Sequence, residues 1–151
     1  MNFRLIANTT SYVLWVEAGF LLLPLAASVL YGEAWLPFFG TAVLCILLGS
    51  ALHLVPVKKA QMHSRDGFMA VALGWIALSL TGALPYAFTG ALTHYVDAVF
   101  ETVSGLTTTG STVFPEVEHL PRSVLLWRSL TQWMGGMGVL VLFLALMPKL
   151  G

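Results

Sequence analysis

The sequence contains four long apolar runs, and they constrain the fold more than any other feature. They cover residues 10–31, 34–55, 67–88 and 122–147. A helix needs about 20 predominantly apolar residues to cross the hydrocarbon core of a bilayer, so each run suffices for one crossing. Only 9% of the 151 residues are charged, whereas a soluble domain carries about 25%. The sequence therefore predicts an all-α integral membrane protein with the lipid bilayer as its surroundings.

The positive charges predict the orientation of the chain, because Lys and Arg are enriched in cytoplasmic loops. The most basic segment is residues 57–66, between the second and third runs. Five of the seven basic residues fall on that side of the predicted membrane: Arg4, Lys58, Lys59, Arg65 and Lys149. Arg122 and Arg128 fall on the other side. We expect a multi-pass membrane protein with both ends of the chain in the cytoplasm.

One polar stretch, residues 97–112 (DAVFETVSGLTTTGST), lies between the third and fourth runs and is too short to cross a bilayer. Asp97 suits the N-cap of a short helix, because its carboxylate accepts from the free N–H groups of the first turn. Five hydroxyl residues then surround Gly110: Thr107, Thr108, Thr109, Ser111 and Thr112. Non-helical backbone at membrane depth is tolerated only where it lines water or is buried in protein. The pattern predicts a re-entrant pore loop, in which a short helix enters the membrane and an extended segment returns.

This loop is a candidate K⁺ site. Glycine adopts positive φ at little cost, so Gly110 lets successive carbonyls turn toward one axis. Rings of backbone carbonyls replace the hydration shell of K⁺ in selectivity filters. We expect the carbonyls of Thr107, Thr108, Thr109 and Gly110 to be the ligands, with Ser111 completing the filter.

The remaining polar residues indicate no enzyme and no nucleic-acid partner. Glu17 lies inside the first run, where a carboxylate is a functional hypothesis by default; the alternative is pairing within the helix bundle or at the interface. Glu116 and Glu118 either raise the local cation concentration at an outer mouth or belong to an ordinary solvated loop. An intramembrane enzyme would draw on Glu17, His53 and Glu101, which lie on different segments without a recognised spacing. The net charge of +0 gives no electrostatic signal for nucleic acid.

Two segments resemble a known family. ETVSGLTTTGST at residues 101–112, followed by WRSLTQWMGGMGVL at residues 127–140, resembles the first pore repeat of the Trk/Ktr/HKT superfamily. The resemblance covers nearly the whole chain. Residues 1–66 are similar to an N-terminal pair of transmembrane helices with a cytoplasmic loop. Residues 67–151 are similar to the first span–pore helix–filter loop–span repeat.

The resemblance implies a K⁺-translocating subunit of four non-identical repeats, each with one filter strand and a central glycine. That glycine is Gly110 here; in some relatives a serine replaces it and admits Na⁺, so Gly110 indicates K⁺. We expect no cofactor beyond K⁺ as the transported ion. The expected partners are the remaining three pore repeats, a second copy in a homodimer, and a cytosolic nucleotide-binding regulatory subunit, with residues 57–66 as its candidate docking loop. From their relative depth, we also expect Arg128 to pair with Glu101 and to support the pore.

Two alternatives stay open from the sequence. The isolated chain, which ends after one repeat, is either part of a conducting pore or a non-conducting structural or assembly module. The fourth run contains Gly135, Gly136 and Gly138, which permit either a bend or close helix packing. The helix formed by this run therefore either lines or braces a pore, or serves only to pack against the other helices.

Overall fold

The computed structural model describes residues 3–55 and 64–146. Within these ranges, all regular structure is helical, which confirms the all-α prediction. The helices are α1 (Phe3–Tyr31), α2 (Leu36–His53), α3 (Ser64–Gly82), α4 (Leu84–Phe88), α5 (Tyr95–Leu106) and α6 (Arg122–Leu146). Most of the basic segment 57–66, together with Lys149, lies outside the described residues, so its cytoplasmic placement stays a prediction.

Three stretches are long and apolar enough to cross a membrane: Ile6–Tyr31, Leu36–His53 and Asp66–Phe88. They coincide with the first three predicted runs, although α1 begins several residues earlier than expected. Helix α6 has 25 residues, or roughly 38 Å at 1.5 Å per residue. That length exceeds a hydrocarbon core of about 30 Å, and the crossing by α6 stays a prediction.

The third run was expected to form one continuous helix, but it is interrupted at Ala83, between α3 and α4. Pro85 is the cause, because it has no N–H to donate to the carbonyl of Thr81, four residues earlier. The adjacent carbonyl, that of Gly82, accepts from the indole N–H of Trp127 on α6, at 2.9 Å. A neighbouring helix thus satisfies one backbone carbonyl at the interruption, as backbone at membrane depth requires.

Helix α1 is central to the bundle, because it packs against α2, α3 and α6. Helix α5 packs mainly against α6 and α3, and so lies beside this bundle. Large side chains fill the core where the helices meet: Leu14, Leu21, Phe38, Tyr86, Phe114 and Trp127. Apolar side chains on the outside of α2, such as Ile46 and Leu47, are exposed, as expected of a surface that faces lipid. The packing therefore fixes α5 against two longer helices, α6 and α3.

Candidate functional site

Helix α5 leads into the polar stretch and ends where the hydroxyl residues begin. The prediction that Asp97 caps this helix is wrong. His94 occupies the N-cap, with extended backbone at φ −103° and ψ 128° and no side-chain capping bond. The carbonyl of His94 already accepts from the N–H groups of Asp97 and Ala98, so Asp97 lies inside the first turn. Its carboxylate there still complements the positive end of the helix dipole.

The backbone leaves the helical conformation after Leu106, as the sequence predicted for the loop. Thr108 and Gly110 have positive φ values of 57° and 77°. The N–H groups of Thr109 and Gly110 both donate to the carbonyl of Ser104 in the last turn of α5, at 2.9 and 3.4 Å. These bonds fold the start of the loop back onto the end of α5.

The carbonyls at positions 107–110 accept no hydrogen bond from any residue within 3–55 and 64–146. The next carbonyl differs, because Ser111 O accepts from the Ser104 hydroxyl at 2.6 Å. All six residues at positions 107–112 are exposed in this chain. Carbonyl groups without a protein partner must be satisfied by water or by another ligand. Four successive carbonyls are therefore available to a cation, and Ser111 is anchored instead.

Two threonine hydroxyls of the loop, those of Thr107 and Thr109, make hydrogen bonds. Thr107 Oγ1 donates to the carbonyl of Val103 at 2.8 Å and lies 2.8 Å from Thr109 Oγ1. Side-chain hydroxyls that bond to nearby backbone stabilise turns. We infer that these hydroxyls stiffen the loop and leave ion contact to the backbone.

A single carboxylate holds the far end of the loop. Glu101 is only 2% exposed and accepts from the Thr112 hydroxyl at 2.9 Å and from the Val113 N–H at 3.1 Å. It also forms an ion pair with Arg128 of α6, which confirms the predicted pairing. Charge-assisted hydrogen bonds of this kind are about twice as strong as neutral ones. Glu101 therefore joins α5, the loop and α6 at one point.

Helix α6 approaches the end of α5 so closely that only glycine fits at the contact. A Cβ added to Gly135 would overlap the carbonyl oxygen of Leu106 and lie 2.6 Å from its carbonyl carbon. A Cβ on Gly105 would overlap the Thr131 hydroxyl. Since α6 runs unbroken from Arg122 to Leu146, Gly135 serves close helix packing rather than a break in the helix.

The other candidate residues lie apart from the loop or in open surroundings. Glu17 is buried between helices, where it accepts from Thr81, so it bonds within the bundle. His53 is exposed and lies near Ser11. Glu116 is exposed and sits 3.4 Å from an exposed histidine. Within the described ranges, no three His, Cys, Asp or Glu side chains form a group that would hold a metal ion.

Sequence reasoning missed Glu33, which the sequence places only in a turn. Its carboxylate accepts from the N–H groups of Arg122 and Ser123 at 2.8 and 2.9 Å, and from the Ser123 hydroxyl at 2.5 Å. Glu33 thus caps the N-terminus of α6 from a distant part of the chain. Burial raises the pKa of Glu33, but the Ser123 and Arg122 hydrogen bonds and the Arg122 charge outweigh it, so the net pKa is lowered.

Comparison with known proteins gives consistent matches along the chain. A family model described as "TrkH: Cation transport protein" matches residues 37–151. The Trk system potassium uptake protein TrkH of Halomonas elongata is 38% identical over 154 residues, covering 100% of this chain and 32% of that protein. TrkH of Escherichia coli K12 is 36% identical, with the same coverage. TrkG of the same strain is 36% identical over 98% of this chain and 31% of its own length. The chain spans about a third of the length of these curated relatives.

Proposed function

This chain belongs to the TrkH family of cation transport proteins, and from that membership we propose that it supplies one wall of a K⁺ pathway. The relatives are named as Trk system potassium uptake proteins. Membership confirms the family that the sequence resembles and makes the chain part of a transporter rather than an enzyme. In the proposal, residues 107–111 form one strand of a K⁺ selectivity filter in the bacterial inner membrane.

The observation that carries the proposal is the row of carbonyls at positions 107–110, which accept no hydrogen bond from the part of the chain that the structure describes. A K⁺ ion that enters a narrow pore sheds part of its hydration shell, and backbone carbonyl oxygens can replace that water. The loop is tied to Ser104 at one end and to Glu101 at the other. Its carbonyls are therefore held in place before the ion arrives, and little reorganisation accompanies binding.

Permeation in this mechanism is passive. The membrane potential contributes about 2.3 kcal/mol per elementary charge per 100 mV, which drives K⁺ inward. Several adjacent carbonyl sites must bind strongly enough to replace water and weakly enough to release the ion. Exposed backbone dipoles meet that requirement better than a buried carboxylate, which would hold a cation tightly.

One strand cannot surround an ion, so the proposal requires partners. Three further pore repeats would complete the ring, and the exposed side chains at positions 107–112 lie where such repeats can contact them. We further propose that the transporter forms a homodimer and that both ends of this chain lie in the cytoplasm. A cytosolic nucleotide-binding regulatory subunit would dock near residues 57–66. Residues 1–66 would form the N-terminal transmembrane helix pair with its cytoplasmic loop, and residues 67–151 the first span–pore loop–span repeat.

Two glycines make a matched test of the filter. Gly110 and Gly90 have φ values of 77° and 74°, and a Cβ on either would meet no atom within 4 Å. An L-residue in this conformation costs about 1–2 kcal/mol, so the folding cost of substitution is the same at both positions. We expect Gly110→Asp in the full-length transporter to abolish K⁺ uptake while membrane insertion is retained, and Gly90→Asp to leave uptake near the parent level.

The measurement is growth of an uptake-deficient bacterial host on low K⁺, together with ⁸⁶Rb⁺ uptake and the amount of protein in the membrane. Gly110→Ala and Gly90→Ala repeat the comparison without adding charge. If the Gly110 variants rescue growth as well as the Gly90 variants, residues 107–111 are not the filter. Ion flux into liposomes that hold this chain alone tests the alternative of a non-conducting structural module. Flux would show that copies of the chain assemble a pore by themselves, and no flux would support the structural module for the isolated chain.

A further inference from the structure

The break between α3 and α4 is a junction of four helices. A Cβ added to Gly82 would lie 2.9 Å from Thr102 Cγ2 on α5 and 3.1 Å from Glu17 Oε1 on α1. It would also lie 3.5 Å from Trp127 Cζ2 on α6. We call Glu17, Thr81, Gly82, Thr102 and Trp127 the Gly82 junction. At this point the first helix of the chain reaches the pore helix α5 through one glycine.

Burying the Glu17 carboxyl group at this position is energetically unfavourable. Its side chain is 1% exposed, and Oε2 accepts from the Thr81 hydroxyl at 2.5 Å and from the Cys45 thiol at 3.6 Å. The other oxygen, Oε1, has no hydrogen-bond partner within the described ranges. No cationic side chain within those ranges pairs with it. Packing alone would be served better by an apolar side chain of similar volume, so this carboxyl group calls for a role beyond packing.

A continuous series of contacts leads from the junction to the loop. The Gly82 carbonyl accepts from the Trp127 indole N–H at 2.9 Å. The next residue, Arg128, pairs with Glu101, and Glu101 accepts from the Thr112 hydroxyl at 2.9 Å. Packed side chains and hydrogen bonds of this kind can transmit a displacement between two sites. A shift of Gly82 would therefore move Trp127 and Arg128, and with them the anchor of the loop.

We propose that Glu17 is a positioning residue for the filter, acting from outside the pore repeat. By bonding to Thr81 it fixes the broken end of α3, and Gly82 then sets the positions of α5 and of Arg128. The inference rests on the proposed function, because it assigns Glu17 an effect on the selectivity of residues 107–111. It predicts a change in ion discrimination, which a residue needed only for folding would not alter.

The test uses substitutions in the full-length transporter that separate hydrogen bonding from size. Glu17→Leu removes the hydrogen-bonding group while keeping a side chain of similar volume, and Glu17→Gln keeps an oxygen that can bond to Thr81. Thr81→Val removes the donor, and Thr41→Val is its matched control. Both threonines are buried, and each hydroxyl lies 2.8 Å from a carbonyl four residues earlier in its own helix. Of the two, only Thr81 shares its hydroxyl hydrogen with Glu17.

The readouts are the KM for K⁺, the ratio of K⁺ to Na⁺ uptake, the maximal rate, and the amount of monodisperse protein in detergent. Glu17→Leu and Thr81→Val should each raise the KM and lower the ratio by about three- to tenfold, the range expected for one lost hydrogen bond. The KM and the ion ratio of Glu17→Gln and Thr41→Val should stay within about twofold of the parent values. Glu17→Gln keeps a hydrogen bond to Thr81, and Thr41 makes no bond to Glu17 that could be lost.

Unchanged KM and ion ratio in Glu17→Leu and Thr81→Val would overturn the inference, even if less protein folds. If Glu17→Leu yields no folded protein, Thr81→Val decides, since it removes only the hydroxyl. The parent and Gly110→Asp are measured alongside. A parent that takes up K⁺ and a Gly110→Asp variant that does not would uphold the proposed function, so a null result at Glu17 would then count against the positioning role alone. If Gly110→Asp transports like the parent, the filter assignment and this inference both fail.

Discussion

Two adjacent glycines on α6, Gly135 and Gly136, have different surroundings. Substituting them by alanine should therefore change the stability of the protein in opposite directions. A Cβ on Gly135 would overlap the carbonyl oxygen of Leu106 and lie 2.6 and 2.7 Å from its carbonyl carbon and Cα. These are backbone atoms at the end of α5, so no side chain can rotate to make room. A Cβ on Gly136 would meet only the Thr108 Cγ2 atom, at 3.8 Å, which is an ordinary contact. The perturbations are therefore Gly135→Ala and Gly136→Ala.

The magnitude follows from two terms. Replacing glycine by alanine inside a helix favours folding by about 1 kcal/mol, and this gain is common to both variants. Forcing a methyl group into a packed interior costs about 1–3 kcal/mol or more, and only Gly135→Ala incurs that cost. Carbon atoms pack best about 3.5–4.0 Å apart, so the contact to Leu106 is roughly 1 Å too short. The difference in unfolding free energy between the two variants should equal the overlap cost.

The assay is thermal unfolding in detergent, paired with K⁺ uptake by the full-length transporter. Gly136→Ala should unfold at or above the parent temperature and transport normally. Gly135→Ala should unfold at a lower temperature and lose K⁺ uptake, because Leu106 immediately precedes the first carbonyl of the loop and must move. Equal unfolding temperatures and equal uptake for the two variants would refute the claim that α6 touches the α5 backbone at Gly135.

Two further predictions concern carboxylates that bridge helices. The folded-state pKa of Glu33 is lowered from 4.5, so its stabilisation is present above pH 4.5 and is lost as the pH falls through the folded value. Glu33→Gln should therefore be less stable than the parent at pH 7 by about 0.3–1 kcal/mol. The thermal unfolding curves of the two proteins should converge as the pH falls. A stability difference that stays constant from pH 7 to pH 3 would contradict this. Arg128→Met should destabilise the protein by about 3–5 kcal/mol, because Glu101 is left buried and unpaired. Adding Glu101→Gln should recover part of that loss in chemical unfolding, and no recovery would mean that the ion pair is not the stabilising contact.

The apolar runs and the polar loop could be predicted because their signals are local. High mean hydropathy over about 20 residues indicates one possible crossing, and three described stretches that are long and apolar enough to cross lie where the sequence placed them. The Thr/Gly composition after Leu106 is likewise incompatible with a continuing helix. The pairing of Arg128 with Glu101 was predictable for a different reason: two opposite charges at similar membrane depth have few other partners.

The remaining features depend on neighbours that are distant in sequence. Glu33 caps a helix that begins 89 residues later, whereas a capping signal in the sequence is read within three or four residues. The glycines of α6 permit both a bend and close packing, and the choice is made by the position of Leu106. Asp97 was misassigned because His94 had no cap-forming side chain to suggest an earlier helix start.

The two anchors of the loop share one face of α5, and this explains how a polar loop can be both ordered and available to ions. Glu101 and Ser104 are three residues apart, so their side chains lie on the same side of the helix. Ser104 holds Ser111 and the start of the loop, while Glu101 holds Thr112. These anchors use N–H groups of the loop, the Thr112 hydroxyl and the Ser111 carbonyl. The carbonyls at positions 107–110 have no protein partner within the ranges 3–55 and 64–146. In the proposed filter, those carbonyls would therefore be oriented by a helix that contributes no ligand itself, and the spacing of Glu101 and Ser104 would set the shape of the loop.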